Sequence, residues 1–206
     1  FPKNMERYNN YVDLKDTSAA SLHEFKLVYL NYLKKVSFAH NHKQLVLKNP
    51  SNTSRIKFLL DLFPNAKFIH IIRNPYHVYL SMKRNIEKEM VLYTVQNPPS
   101  WEVFEHSMVN LYRRMFKQYF AEKTLIPKGN LVEIRYEDFI EDPLPQMEKI
   151  YKELNLGQFE RNKLIFEKYI ESQRKVRKAV YTIDEPLKQH IYHELKEMID
   201  LWHYSI

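Results

Sequence analysis

The sequence predicts a layered α/β fold built on a parallel sheet. Three observations point to it. Short aliphatic runs of strand length alternate with stretches whose apolar residues recur at spacings of three and four. Each run is mainly apolar through its middle, the pattern of a strand covered on both faces. The chain has 206 residues, 44% hydrophobic and 28% charged, which suits a single globular domain.

The elements follow in order. Residues 1–43 read as an irregular lead-in and one helix, whose stripe is Leu22, Phe25, Tyr29, Tyr32, Leu33 and Val36. Gln44 to Lys48 reads as the first strand, with Leu45–Leu47 at its centre. Ile56, Leu59, Leu60 and Phe63 mark the helix after it. Lys67 to Arg73 is the second strand, centred on Phe68–Ile72, and a helix starts after Pro75. Asn97-Pro98-Pro99-Ser100 is a loop that leads into a long helix through Trp101, Phe104, Met108, Leu111, Tyr112, Met115 and Tyr119. Leu131 to Tyr136 is the third strand. Asp142-Pro143 opens a helix with Leu144, Met147, Tyr151 and Leu154, since proline suits the first helical position. The last stripe is Leu187, Ile191, Leu195, Met198 and Trp202. Residues 1–206 then form one domain, with an α/β core over 44–156 and a helical part over 157–206. The three strands are expected to be parallel neighbours.

Composition removes several classes of function. No cysteine is present, so thiolate nucleophiles and cysteine-ligated zinc are excluded. No apolar run has the length of a membrane span. The two glycines, Gly129 and Gly157, form neither GxxxxGK[ST] nor GxGxxG. The net charge is +7 and aromatics reach 14%. That balance fits an anionic partner, either nucleic acid or a nucleotide, and equally a basic enzyme without one. His40-x-His42 and His190 with His193 are weak metal patterns, and no metal is expected.

In open parallel sheets, ligands bind beyond the carboxyl ends of the strands. The three strands end in Lys48-Asn49-Pro50, Arg73-Asn74-Pro75 and Arg135-Tyr136-Glu137. Cations at one rim, with helix starts beside them, make a candidate anion site. The alternative is a set of solvated strand ends. Arg73 and Ser81 are eight residues apart, so both could reach one phosphate near the start of the helix after Pro75.

These residues resemble a known family. Leu47 to Ile56, then Phe63 to His70, then Arg73-Asn74-Pro75 and Ser81, are similar to the sulfotransferases that use 3′-phosphoadenylyl sulfate (PAPS). The branch that includes many bacterial enzymes and the tyrosylprotein sulfotransferases is the nearest. Arg135 to Phe139, followed by Asp142-Pro143 and an amphipathic helix, fits the same family. The likeness runs from about Leu45 to Leu156.

The resemblance implies a P-loop NTPase-like three-layer sandwich, with 44–156 as its nucleotide-binding core. It implies that Arg73 and Ser81 bind the 3′-phosphate and that Tyr136 lies against the adenine. Lys48 would reach the transferred sulfuryl group and the bridging oxygen. Arg174, Lys175, Arg177 and Lys178 are the candidates for a late basic stretch that completes the phosphate site; a solvated charge run is the equal alternative. The implied reaction passes a sulfuryl group from PAPS to a hydroxyl or amine, leaving 3′-phosphoadenosine 5′-phosphate (PAP). Positioning and cationic stabilisation would dominate, as in phosphoryl transfer.

Two departures stand out. The family's glycine-containing phosphosulfate loop, an N-terminal strand–loop–helix, has no counterpart here. About the first third of the parent is therefore expected upstream of Phe1, and the piece alone is expected to be inactive. Asn52 stands near a position where some relatives carry histidine, and an amide cannot act as a general base. It either orients an oxygen or caps the helix of Ile56 and Leu59. A nucleic-acid-binding module and a nucleotide-kinase-like protein are the competing readings. Cytoplasmic location, no nucleic-acid partner, and an acceptor pocket lined from Met82 to Trp101, with Tyr93 available, complete the expectations.

Overall fold

A computed structural model describes residues 4–173 and 181–205. The chain opens with a short helix, α1 (Met5–Asn9), and a long one, α2 (Ala19–Ala39). The Ser18 hydroxyl caps α2 by accepting from the Ser21 N–H at 3.2 Å. A 3₁₀ turn (Pro50–Ser54) leads into α3 (Ile56–Leu62), then β1 (Phe68–Ile72) and α4 (Pro75–Arg84). The long helix α5 (Trp101–Glu122) precedes β2 (Leu131–Arg135). Four more helices follow: α6 (Tyr136–Glu141), α7 (Pro143–Glu153), α8 (Phe159–Gln173) and α9 (Glu185–Leu201).

β1 and β2 are adjacent and parallel, in the register Phe68 opposite Leu131 through Ile72 opposite Arg135. Alternation along the strands gives the sheet two faces. Phe68, Ile72 and Leu131 join the main core, where Tyr76 and Tyr79 of α4, Trp101, Phe104 and Phe116 of α5, and Ile191 and Leu195 of α9 are buried. Val132 and Ile134 face the other way, onto Ile150 of α7 and Leu154 just beyond it. Lys67 fixes α7 against the start of β1, because its ammonium donates to the carbonyls of Leu154 and Asn155 at the helix end. Helices thus cover one face of the sheet and the β2 side of the other, where Ile69 and Ile71 of β1 remain exposed.

The expected first strand is not there. Gln44 to Lys48 is irregular, with Val46 90% and Leu47 42% exposed, and the sheet among the described residues has two strands. A β-branched, aliphatic sequence becomes a strand only where a neighbouring edge and a covering face are both supplied. This segment does not take up the free edge of β1, and nothing covers Val46 or Leu47. Two further differences concern faces. Tyr32 of α2 points to solvent, and α2 fully buries Leu33 alone. In α7 the most buried side chain is Ile150, outside the expected stripe. The stripe of α9 stands as expected, with a break in helical geometry at Leu195.

Candidate functional site

Parallel pairing brings the carboxyl ends of β1 and β2 to one rim. Ile72 is level with Arg135, so the next residues, Arg73 and Tyr136, meet. The Arg73 guanidinium carbon lies 4.6 Å from the centre of the Tyr136 ring, a cation–π contact. Its Nε is buried and has no hydrogen-bond partner among the described residues. A buried donor without a partner costs roughly 1–3 kcal/mol, which is worth bearing where a ligand completes the site.

The sequence fixes this rim locally. Asn74 is the N-cap of α4: its side-chain oxygen accepts from the Tyr76 N–H at 3.0 Å, and Pro75 fills the first helical position. The Asn74 N–H donates to Oε1 of Glu137 at 3.0 Å, and the Tyr204 hydroxyl donates to Oε2 at 2.7 Å. Burial alone would raise the Glu137 carboxyl, but these two hydrogen bonds, with the Glu137 backbone N–H and the Arg135 charge, outweigh it and hold the group below the usual carboxylate range. Arg135 stacks 4.1 Å from the Tyr204 ring and donates to the Trp202 carbonyl at 3.1 Å. Glu137 therefore couples the ends of both strands, and the C-terminal residues brace them.

Ser81 lies between one and two turns into α4, half-buried. His77 is one turn before it on the same face and packs against Tyr181, with ring centres 5.6 Å apart. Arg174, Lys175, Arg177 and Lys178 lie outside the described residues. Lys48 is exposed and precedes the Pro50–Ser54 turn. That turn is pinned to the N-terminal segment. The Ser54 hydroxyl donates to the Val12 carbonyl at 3.2 Å, and Arg55 donates to the carbonyls of Val12 and Tyr11 at 2.8 and 2.5 Å. Burial lowers the Arg55 pKa from its ordinary value. The Asn52 side chain does not cap α3, whose N-cap is Arg55; the Asn52 carbonyl accepts the Arg55 N–H at 3.2 Å instead. So the structure joins Arg73 to Tyr136 at the rim, places Ser81 on the helix that starts there, and leaves Lys48 on a separate exposed segment.

Beneath the rim lies a second polar group. Nδ1 of His70 is 3.3 Å from Glu133, whose carboxylate also accepts from the Tyr119 hydroxyl at 2.5 Å and from Lys123 at 3.5 Å. The His70 hydrogen bond is the main reason the Glu133 pKa falls to about 2, against the opposing effect of burial. Further along, Tyr79 donates to Glu105 and accepts from Trp101 Nε1 at 3.1 Å, and His190 contacts the same Glu105. These groups tie α4, α5 and α9 together. Among the described residues no cluster of three or more histidine, aspartate or glutamate side chains is arranged to hold a metal.

A cleft of about 380 Å³ opens beyond α4, lined by Ile86, Val91, Pro98, Pro99 and Trp101 with Glu87, Asn97, Ser100 and Glu102. It overlaps the stretch expected to line an acceptor pocket. Sequence reasoning gave no role to Glu137, Tyr204 or His77. Glu137 sits inside a quoted motif, but its hydrogen bond to Asn74 needs the strand register to be known.

The model of the sulfotransferase family matches residues 2–161. The chain is 35% identical over 162 residues to the omega-hydroxy-beta-dihydromenaquinone-9 sulfotransferase Stf3 of Mycobacterium bovis (strain ATCC BAA-935 / AF2122/97). The protein of the same name from Mycobacterium tuberculosis (strain CDC 1551 / Oshkosh) gives the same identity. The match covers 78% of this chain and 41% of each relative, so the chain spans about two-fifths of their length. No solved structure matches. The chain belongs to the sulfotransferase family.

Proposed function

We propose that this member of the sulfotransferase family binds the nucleotide of PAPS at the β1–β2 rim and serves sulfuryl transfer to a hydroxyl on a largely apolar acceptor. The observation that carries the reading is the Arg73 guanidinium, stacked on Tyr136 with a buried donor unpartnered, at the carboxyl ends of two parallel strands. Arg73 takes the 3′-phosphate through its fork of donors, and the Ser81 hydroxyl adds one more. Tyr136 offers its ring to the adenine. Arg174, Lys175, Arg177 and Lys178 supply further cations to the same phosphate. The core is of the P-loop NTPase-like kind.

In the transfer, the acceptor oxygen bonds to sulfur as the bond from sulfur to the phosphate oxygen breaks, and the acceptor proton passes to a base. Negative charge grows on the departing PAP. Lys48 neutralises the bridging oxygen as that charge appears. The acceptor lies in the cleft whose Ile86, Val91, Pro98, Pro99 and Trp101 side suits a lipid-like body, with Glu87, Asn97, Ser100 and Glu102 on its polar side. The relatives named for a hydroxylated menaquinone support that class.

Thermal unfolding with added nucleotide tests the donor half. A ligand at a hundred times its Kd stabilises the native state by about 2.7 kcal/mol, or several degrees of Tm at this chain length. PAP is expected to raise Tm clearly more than the same concentration of AMP, which lacks the 3′-phosphate. Equal shifts from the two would refute a 3′-phosphate site.

A further inference from the structure

We infer that Glu137 is a positioning residue of the nucleotide site, which sets Arg73 and Ser81 for the 3′-phosphate without touching it. The inference rests on the donor half of the proposed function and deepens it.

The charged side chains at the strand ends have different commitments. Arg135 donates to the Trp202 carbonyl at 3.1 Å and stacks on the Tyr204 ring. Glu137 uses both oxygens: Oε1 accepts from the Asn74 N–H at 3.0 Å, and Oε2 from the Tyr204 hydroxyl at 2.7 Å. Arg73 keeps a buried Nε without a hydrogen-bond partner among the described residues. The fold therefore engages Arg135 and Glu137 with its own groups and leaves Arg73 a donor for a ligand.

The N–H that Glu137 takes belongs to the peptide unit joining Arg73 to Asn74. That unit is planar, so holding its N–H also fixes the Arg73 carbonyl and the backbone that carries the guanidinium. On the other strand, Glu137 directly follows Tyr136. One hydrogen bond thus ties together the residues just beyond the stacked pair, whose contact is 4.6 Å. Asn74 passes the constraint on. It is buried, and its side-chain oxygen caps α4 at the Tyr76 N–H, so the same residue orients the helix that carries Ser81. Binding groups must be held to within about half an ångström, and the residues that hold them are part of the site.

Charge separates this role from a plain electrostatic one. A carboxylate near a phosphate site repels phosphate, so by Coulomb's law alone its removal would tighten PAP binding. Positioning predicts the opposite sign. Glutamine at 137 gives a further separation, because its amide oxygen can accept from Asn74 and its NH₂ can donate to the Tyr204 hydroxyl.

Calorimetric titration of PAP into Glu137→Ala, Glu137→Gln, Arg73→Ala and the Glu137→Ala/Arg73→Ala double variant tests the inference, with melting curves to show that each is folded. Glu137→Ala is expected to weaken PAP at least fivefold, and Glu137→Gln to bind it within twofold of the native chain or more tightly. In the Arg73→Ala background, Glu137→Ala is expected to change affinity less than twofold, since it acts through Arg73. Where Glu137→Ala does not fold, Tyr204→Phe gives the reading: it removes one hydroxyl, leaves the ring on Arg135, and is expected to weaken PAP two- to threefold. PAP affinity that Glu137→Ala leaves unchanged or raises would overturn the proposal. So would a loss of the same size in the Arg73→Ala background, an equal loss in Glu137→Gln, or, where Glu137→Ala does not fold, unchanged affinity in Tyr204→Phe. PAP binding that still depends on Arg73 in any of those cases leaves the donor site standing. Affinity that Arg73→Ala leaves unchanged removes the donor reading and this inference together.

Discussion

Glu133 is held ionised by its neighbours, and that has a consequence for stability. Its carboxylate accepts from Tyr119 and Lys123 and faces His70, and its folded pKa is about 2. The unfolded value lies near 4.3. Between the two, the unfolded chain binds more protons than the folded one, so stability rises with pH there. The contribution is fully present above about pH 4.5 and is lost as pH falls toward 2. The carboxylate is about a third exposed, so solvent screening cuts the contribution to about 1–2 kcal/mol. Glu133→Gln is expected to lower stability by that order at neutral pH and to flatten the acid limb of a denaturation-against-pH series; an unchanged limb would show that Glu133 titrates normally. Lys48 carries a different expectation. Charge on the bridging oxygen appears only as its bond to sulfur breaks, so Lys48→Ala should lower kcat far more than it weakens nucleotide binding. Sulfate transfer from labelled PAPS, measured on a form of the protein that turns over, gives the two parameters. A loss confined to KM would make Lys48 a plain binding residue.

At the level of elements, β1, β2, α4 and α7 were legible because each carried its own local signal, whereas α6 begins at Tyr136, which the sequence places in the strand. Phe68–Ile72 and Leu131–Arg135 are short aliphatic runs, and Asn74-Pro75 and Asp142-Pro143 mark helix starts. Gln44 to Lys48 has the same composition and no ladder. Its pattern says only that a strand is affordable, and pairing depends on an edge that composition does not describe. The α8 helix falls in the stretch 157–206 expected to be helical, but its bounds are not legible: Leu164, Ile165 and Tyr169 point outward, so no buried stripe marks it. In the site, Arg73 and Tyr136 were legible from their motifs, whereas Glu137 and Tyr204 act through contacts 63 and 67 residues away in the chain. Hydrogen exchange checks the strand assignment. The amides turned toward the partner strand, those of Phe68, His70, Ile72, Val132 and Ile134, are expected to be protected by several orders of magnitude, and those of Gln44–Lys48 to exchange at nearly unfolded rates. Protection across Gln44–Lys48 would restore it to the sheet.

Across the whole molecule, the rim is where the layers converge. α5 and α9 pack under one face of the sheet and α7 covers the β2 side of the other. The C-terminal residues return to grip Arg135 and Glu137, and Tyr181 reaches back to His77 on α4. The fold thus holds an arginine whose buried Nε has no hydrogen-bond partner among the described residues at the place where parallel sheets bind ligands. The account stands on that arginine reading a 3′-phosphate. The most direct test is calorimetric titration of PAP and of AMP into the chain and into Arg73→Ala. PAP is expected to bind at least tenfold more tightly than AMP, and Arg73→Ala to weaken PAP by about 1.5–3 kcal/mol, the scale of a hydrogen bond to a charged group, while AMP changes little. Equal affinity for PAP in the two proteins would contradict the account.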